Sequence, residues 1–167
     1  MKKTLFFALA PDRVDALPPY GANKNLSIDD LRHLITKGAP PPSYTRLPDL
    51  ALRAYRDGDQ GAKDELSSAK KDLPYFLASG YCPQHHNDSS LEYNGAQQID
   101  IDFKTADGQQ LAVDVLEKVK TLRPPGVVLA TLSPSTFGVK ILLATDNQDK
   151  EKHGAAARAA IAHLADL

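Results

Sequence analysis

Within residues 97–103, polar and apolar side chains alternate from Gln98 onward, and this pattern constrains the fold more than any other feature of the sequence. Successive residues of a β-strand point to opposite faces, so an alternating segment predicts a strand that is half buried. Its apolar face would carry Ile99 and Ile101, and its polar face would carry Asp100 and Asp102. We therefore expect a strand with one face in the core and two carboxylates on the other.

The segments around this strand predict an α+β fold in a single domain that spans residues 1–167. Residues 73–167 alternate strands and helices, whereas residues 1–72 form a mostly helical N-terminal part. We predict strands at 5–9, 73–78, 97–103, 127–132 and 139–144, and helices at 111–122 and 150–167. A turn-rich loop is expected to follow the strand at 73–78.

Helix boundaries in the N-terminal part follow from capping residues and prolines. Ser27 followed by Asp30 is a capping pattern that predicts the start of a helix. Residues 40–42 are all proline, which predicts an extended linker. Pro48 then predicts the first turn of a second helix, and Asp59 begins a third.

Composition excludes several classes of protein. Hydrophobic residues make up 42% of the 167-residue chain and charged residues 25%, values typical of a globular domain rather than of a disordered or collagenous chain. The 20 basic and 21 acidic residues nearly balance, so overall charge gives no case for nucleic-acid or membrane binding, although a local basic groove stays open. No apolar run approaches the roughly 20 residues of a membrane span. The single cysteine excludes a disulfide framework and predicts a cytoplasmic protein.

Two carboxylates on one strand face are a candidate metal site. Residues two apart on a strand are separated by about 6 to 7 Å, so Asp100 and Asp102 would repel each other and favour a bound divalent cation. Mg²⁺ and Mn²⁺ prefer such oxygen ligands. The alternative is a strand that simply exposes a polar face to water, and the acidic pair alone does not decide between the two.

The loop at 133–138, between the last two predicted strands, is a candidate phosphate site. Its short hydroxyl residues and Gly138 offer hydroxyl and backbone N–H donors to an anion. Lys140, just inside the next strand, would add a positive charge for a triphosphate. The alternative is an ordinary hairpin with a solvated lysine. Metal-assisted phosphoryl or nucleotidyl transfer needs a carboxylate pair and such a loop. The carboxylates hold the metal ions, and the metal ions and the lysine together neutralise the negative charge of the phosphates.

The order of four short segments resembles the primase-polymerase domains of the archaeo-eukaryotic primase superfamily. The branch concerned is the VirE amino-terminal-like one, which is common in mobile genetic elements. The segments are Lys71-Asp72-Leu73-Pro74 with Ser79-Gly80, Tyr93-Asn94-Gly95 with Ile99-Asp100-Ile101-Asp102, Leu132-Ser133-Pro134-Ser135 with Gly138-Val139-Lys140, and His153 at the start of the last helix. Together they extend from Lys71 to His153, about half of the 167-residue chain.

The resemblance implies a function, a fold and a set of site residues. The function is metal-dependent nucleotidyl transfer by a DNA or RNA primase-polymerase that serves replication of a mobile element. The fold is an α+β, RNA-recognition-motif-like sheet of the primase-polymerase type with an N-terminal helical region. Asp100 and Asp102 would be catalytic ligands of Mg²⁺ or Mn²⁺. The residues implied to bind a nucleoside triphosphate are Ser133, Ser135, Gly138 and Lys140. The implied partners are a single-stranded nucleic-acid template and a helicase domain or protein.

Two departures from the resemblance leave enzymatic activity open. Thr136 stands where the family has glycine, and because a β-branched residue disfavours a positive φ, we expect a reshaped loop. The third acidic motif of the family follows the closing helix, where this sequence ends at Asp166 and Leu167. We therefore expect either a fragment or a catalytically incomplete domain. The alternative function is a non-catalytic nucleotide- or nucleic-acid-binding module, and a purely structural domain is the third class.

Overall fold

The computed structural model describes residues 7–9, 25–37, 42–71, 76–77, 80–81 and 92–165, and these form an α+β protein, as predicted. The helices are α1 (Ile28–Lys37), α2 (Pro42–Tyr55), α3 (Gln60–Lys71), α4 (Gly108–Leu122) and α5 (His153–His163). The strands are β1 (Phe7–Leu9), β2 (Asn25–Leu26), β3 (Phe76–Leu77), β4 (Gly80–Tyr81), β5 (Glu92–Tyr93), β6 (Ala96–Asp102), β7 (Val127–Leu132) and β8 (Gly138–Ala144). None of the described helices has the length and apolar character needed to span a lipid bilayer.

The main sheet contains β6, β8 and β7 in that spatial order, and both neighbouring pairs are antiparallel. Strands β6 and β7 consequently run parallel to each other with β8 between them, which makes a split β–α–β unit with α4 in the connection. Two small antiparallel sheets, β2–β1–β3 and β4–β5, accompany it. The register of β6 and β8 places Ile99 opposite Ile141 and Asp100 opposite Lys140.

One face of the main sheet is covered by α4 and α5. Ile99 of β6 and Val139, Ile141 and Leu143 of β8 form a hydrophobic cluster with buried residues of both helices. Ile141 is fully buried. Burying an apolar side chain of this size stabilises the folded state by about 1.5–3 kcal/mol. Because strand residues alternate between faces, this cluster fixes which side of the sheet carries Asp100.

The start of α1 confirms the capping pattern at Ser27. Ser27 Oγ accepts a hydrogen bond from the Asp30 N–H at 3.1 Å, and the Asp30 carboxylate accepts one from the Ser27 N–H at 2.9 Å. This reciprocal pair is a capping box. The hydrogen bonds from the Ser27 hydroxyl and N–H hold the pKa of Asp30 below its usual value, because they stabilise the charged carboxylate.

The prolines of the N-terminal part differ from the prediction. Pro42 is the first residue of α2 rather than the end of the extended linker predicted at 40–42, and the rest of that linker lies outside the described residues. Pro48 lies inside α2 rather than in its first turn. Pro42 takes the first helical position, where a missing N–H is tolerated, and burial of Leu47 and Leu50 on either side of Pro48 favours continuation of the helix.

A second hydrophobic cluster lies around α2 and α3 and includes a residue of the candidate phosphate loop. Phe137 is buried with Leu47, Leu50 and Leu66 of these helices, and its ring centroid lies 5.3 Å from that of Tyr55. Phe137 directly precedes the first residue of β8. This packing therefore attaches the N-terminal helices to the main sheet at the start of β8.

The remaining secondary-structure predictions agree in kind and differ at boundaries. Strand β7 has its predicted limits, β6 is shifted by one residue toward the N terminus, and β8 and α4 begin one and three residues early. Residues 150–152 form a 3-10 turn before α5. In the loop predicted after residue 78, Gly80 and Tyr81 form β4 instead, because they pair with β5. Other parts of that loop, and of the strands predicted at 5–9 and 73–78, lie outside the described residues.

Candidate functional site

The face of the main sheet opposite α4 and α5 brings together the two predicted carboxylates and the predicted lysine. Asp100 and Asp102 are exposed and lie two residues apart on β6. Lys140 of β8 is the register partner of Asp100, and its Nζ lies 2.9 Å from Asp100 Oδ1. Strand pairing therefore joins two motifs that are distant in sequence into one cluster, which we call the charged cluster: Asp100, Asp102 and Lys140.

Two side chains orient the Asp100 carboxylate. Lys140 donates a hydrogen bond to Oδ1, and the Gln98 amide donates to Oδ1 at 3.0 Å and to Oδ2 at 3.2 Å. The Asp100 and Lys140 side chains are 46% and 38% exposed, so their ion pair contributes about 1 kcal/mol or less to stability. A bound cation or phosphate could therefore separate this pair at a small cost in free energy.

Gly138 provides the space that Asp102 occupies. The two residues are register partners on β8 and β6. A Cβ atom at position 138 would lie 2.8 Å from Asp102 Oδ1 and 2.6 Å from the Ile101 carbonyl oxygen, distances that only glycine avoids. Glycine at this position is thus explained by the close approach of the second carboxylate. Its predicted part in nucleotide binding stays a prediction.

Ser133 and Ser135 are buried at the turn that leads into β8. Their hydroxyl oxygens lie 3.2 Å apart and form a hydrogen bond with each other. The Thr136 N–H donates to the Ser133 carbonyl, and the Ser133 N–H donates to the Gly138 carbonyl, both at 2.8 Å. Both hydroxyls and both of these N–H groups are therefore engaged within the turn. The predicted contact of the two serines with a triphosphate stays a prediction.

Thr136 itself adopts the left-handed backbone conformation, which is unfavourable for a β-branched residue. Its φ is 62°, a conformation that costs such a residue about 1–3 kcal/mol. Thr136 Oγ1 accepts a hydrogen bond from the Gln109 amide at 2.9 Å and donates one to the Ser135 carbonyl at 2.6 Å. The next residue, Phe137, is held in the second hydrophobic cluster. These contacts keep the turn in place despite its unfavourable φ.

A further lysine approaches the charged cluster from the N-terminal helices. Lys70 lies in the last turn of α3, and its charge interacts with those of Asp102, Lys104 and Lys140. Burial of the ammonium group lowers the pKa of Lys70, and the attraction of Asp102 opposes that shift. The residue as a whole remains exposed to solvent. Sequence reasoning missed Lys70 because its place depends on how α3 packs.

A second polar cluster lies on the covered face, at the other end of β6. Gln97 is 1% exposed, and its amide donates a hydrogen bond to the Tyr93 hydroxyl at 2.5 Å and lies 3.1 Å from His153 Nδ1. The Tyr93 and His153 rings pack edge to face with their centroids 5.6 Å apart. Tyr93 and His153, which belong to two of the segments that resemble the primase-polymerase family, therefore meet on the side of the sheet away from Asp100.

Asp100 and Asp102 could hold a divalent cation only together with ligands from outside the charged cluster. Within the described part of the chain, no group of three His, Cys, Asp or Glu side chains is placed to hold a metal ion. Mg²⁺ usually takes one or two protein carboxylates, and waters and substrate phosphates complete its coordination. Two exposed carboxylates beside a lysine therefore suit a metal–nucleotide complex better than a metal ion alone.

Comparison with known proteins gives a family match over the part of the chain that contains the main sheet. The family model described as "BT4734-like, N-terminal domain" matches residues 68–166, which is more than half of the chain. The matched region includes β6, β7 and β8, and with them the whole charged cluster. No curated protein and no solved structure matches the chain.

Proposed function

We propose that this chain, which belongs to the family of BT4734-like N-terminal domains, carries out metal-dependent nucleotidyl transfer as a primase-polymerase of the VirE amino-terminal-like kind. It would serve the replication of a mobile element in the cytoplasm. Support comes from the four segments that resemble that superfamily and from the placement of Asp100, Asp102 and Lys140 on one sheet face. That placement is the observation on which the proposal chiefly depends.

The order of elements supports an RNA-recognition-motif-like sheet of the primase-polymerase type. From β6 to α5 the chain runs β–α–β–β–α, and β8 lies between β6 and β7. This arrangement corresponds to the first five elements of the β–α–β–β–α–β unit. In RNA-recognition motifs, bases stack on the open face of the sheet. The charged cluster lies on the equivalent face of this sheet, opposite the helices.

The charges of the cluster suit a metal–triphosphate complex. Asp100 and Asp102 would hold Mg²⁺ or Mn²⁺, which when bound stabilises charge on a transferring phosphoryl group as a Lewis acid. Gln98 would keep Asp100 oriented, because its amide already donates to both carboxylate oxygens. Lys140 would exchange its contact with Asp100 for a contact with the phosphates. Without a ligand, the Asp100 carboxylate and the Lys140 ammonium therefore neutralise each other.

The remaining parts of the proposed site follow from the resemblance. Ser133 and Ser135 would contact the triphosphate from the turn before β8, and Gly138 would contact it from the first position of that strand. A single-stranded nucleic-acid template would lie on the sheet face beside the nucleotide, and a helicase domain or protein would supply that template.

A non-catalytic nucleotide- or nucleic-acid-binding module is the second candidate, and one observation favours it. Among the described residues, no third acidic side chain joins Asp100 and Asp102. Two carboxylates are enough to bind a metal–nucleotide complex, whereas the resemblance places a third acidic motif in the catalytic site. The two candidates agree on ligand binding and differ only in whether a primer is extended.

The proposal is tested by titration calorimetry with Mn²⁺ and a nucleoside triphosphate. Asp100→Asn keeps the shape of the side chain and removes the charge, so we expect nucleotide affinity in the presence of Mn²⁺ to fall at least about tenfold. Asp114→Asn is the matched control, because Asp114 is an exposed carboxylate on α4, outside the charged cluster. Equal affinity of wild type and Asp100→Asn would refute the proposal.

Primer extension on a single-stranded template separates the two candidates. Extension by the wild-type protein that is lost in Asp100→Asn and retained in Asp114→Asn would identify an enzyme. Tight Mn²⁺-dependent nucleotide binding without any extension would identify the binding module instead.

A further inference from the structure

The last turn of α3 is fixed beside the charged cluster by packing. Ala69 and Leu66 of α3 are buried in the same hydrophobic cluster as Phe137. Phe137 immediately precedes Gly138, which is the register partner of Asp102. A short path of packed residues therefore connects the end of α3 to the second carboxylate. Lys70 directly follows Ala69 in the same turn of α3, so this packing brings that turn close to the charged cluster.

The environment of Lys70 is that of the charged cluster. Its ammonium interacts with the charges of Asp102, Lys104 and Lys140. Lys140 makes a direct ion pair with Asp100 at 2.9 Å, whereas no ion pair joins Lys70 to Asp102 among the described residues. The residue also remains exposed to solvent. A ligand on this face could therefore reach the Lys70 ammonium without first separating it from a bound carboxylate.

The balance of charge on this face favours a multiply charged anion. Lys70, Lys104 and Lys140 outnumber Asp100 and Asp102 by one, and a divalent cation bound by the aspartates would add two further positive charges. Each phosphate group of a polyphosphate carries negative charge near neutral pH. A local excess of positive charge attracts an anionic ligand. A polyphosphate chain is the ligand chemistry that offsets this excess.

We propose that Lys70 is a second phosphate-binding residue of this site, through which the N-terminal helical part contacts the polyphosphate chain of the bound nucleotide. This inference rests on the proposed function and deepens it, because it adds a contact from α3 to a site otherwise built from β6 and β8. Lys140 contacts the phosphates from the sheet, and Lys70 contacts them from the helix. The number of phosphates therefore determines how many of these contacts a nucleotide makes.

The test compares nucleoside tri-, di- and monophosphates in the presence of Mn²⁺ by titration calorimetry. We expect Lys70→Met to weaken triphosphate binding about tenfold, as for loss of a charged hydrogen bond, and to change monophosphate binding little. Lys63→Met is the matched control, since Lys63 is an exposed lysine of the same helix outside the segments that carry the resemblance, and it should bind all three ligands like wild type. Lys70→Arg keeps the positive charge and should retain most of the triphosphate affinity.

The outcomes distinguish this inference from the function on which it rests. If wild type binds no nucleotide with Mn²⁺, the proposed function fails. If wild type binds and Lys70→Met binds triphosphate equally well, only the role of Lys70 fails. A loss that is the same for all three nucleotides would also refute that role, because it would indicate general damage to the site. Thermal unfolding of each variant, followed by circular dichroism, verifies that all are folded at the assay temperature.

Discussion

Strand β6 carries polar side chains on both faces, and their surroundings differ. On the covered face Gln97 is buried, uncharged and bonded to Tyr93, with His153 beside it. On the opposite face Asp100 is half exposed and charged, and its partner Lys140 is held by a surface ion pair. A buried polar group is costly to leave without partners, whereas an exposed ion pair can be exchanged for water or a ligand. Alternation along one strand therefore separates polar residues that hold the fold from polar residues that remain available for binding.

The largest expected effect on stability is truncation on the covered face. Ile141→Ala removes most of a fully buried side chain from the cluster beneath α4 and α5, and should lower the free energy of unfolding by about 2–5 kcal/mol. Urea denaturation followed by circular dichroism measures this quantity. Lys140→Ala, one residue away on the opposite face, is the control and should change it by about 1 kcal/mol or less. Similar losses at both positions would contradict the assignment of faces.

An intermediate effect is expected at the buried polar cluster. Gln97→Ala removes the amide that bonds to Tyr93, and should lower the free energy of unfolding by about 1–3 kcal/mol. Gln98→Ala makes the same chemical change on the exposed face, and should alter stability by about 0.5 kcal/mol or less. The same denaturation experiment compares the two variants. If Gln98→Ala lowered the free energy of unfolding as much as Gln97→Ala, the difference in burial between the two glutamines would not explain their contributions to stability.

A small loss of stability together with tighter metal binding is expected for Lys140→Met. Loss of the exposed ion pair should change the free energy of unfolding by about 1 kcal/mol or less. Mn²⁺ alone should bind up to about fivefold more tightly, because the ammonium group no longer competes for Asp100. Calorimetric titration with Mn²⁺ measures the change, and Lys140→Arg, which keeps the charge, should resemble wild type. Unchanged Mn²⁺ affinity in Lys140→Met would show that Asp100 does not contribute to metal binding.

Local features of this fold could be predicted from the sequence because neighbouring residues determine them. The alternation at 97–103 located β6 and assigned its two faces, and the Ser27 pattern located the start of α1. The helix predicted at 111–122 ends at its predicted residue, Leu122, and just after it Arg123 takes a φ of 47° and Gly126 a φ of 80°. In each case the deciding contacts span only a few residues of chain.

Features that depend on packing between distant segments could not be predicted in this way. Strand β6 pairs with β8 rather than with β7, the next strand of the main sheet along the chain, and only this pairing brings Lys140 to Asp100. Burial of Ser133 and Ser135 within their turn, and the approach of Lys70 from α3, likewise depend on tertiary contacts. Pro48 was misplaced for the same reason, since burial of its neighbours overrides the usual preference of proline for a first turn.

The pairing of β6 with β8 has one more consequence, for errors during folding. A slip of β8 by a single position would turn every one of its side chains to the other side of the sheet. The Lys140 ammonium would then face the helices, and Ile141 would face water where Lys140 now lies. Both changes are unfavourable, so a misaligned chain would be less stable than the correct one. The alternation that brings Asp100 and Lys140 to one face of the sheet therefore also disfavours a misaligned pairing of β6 and β8.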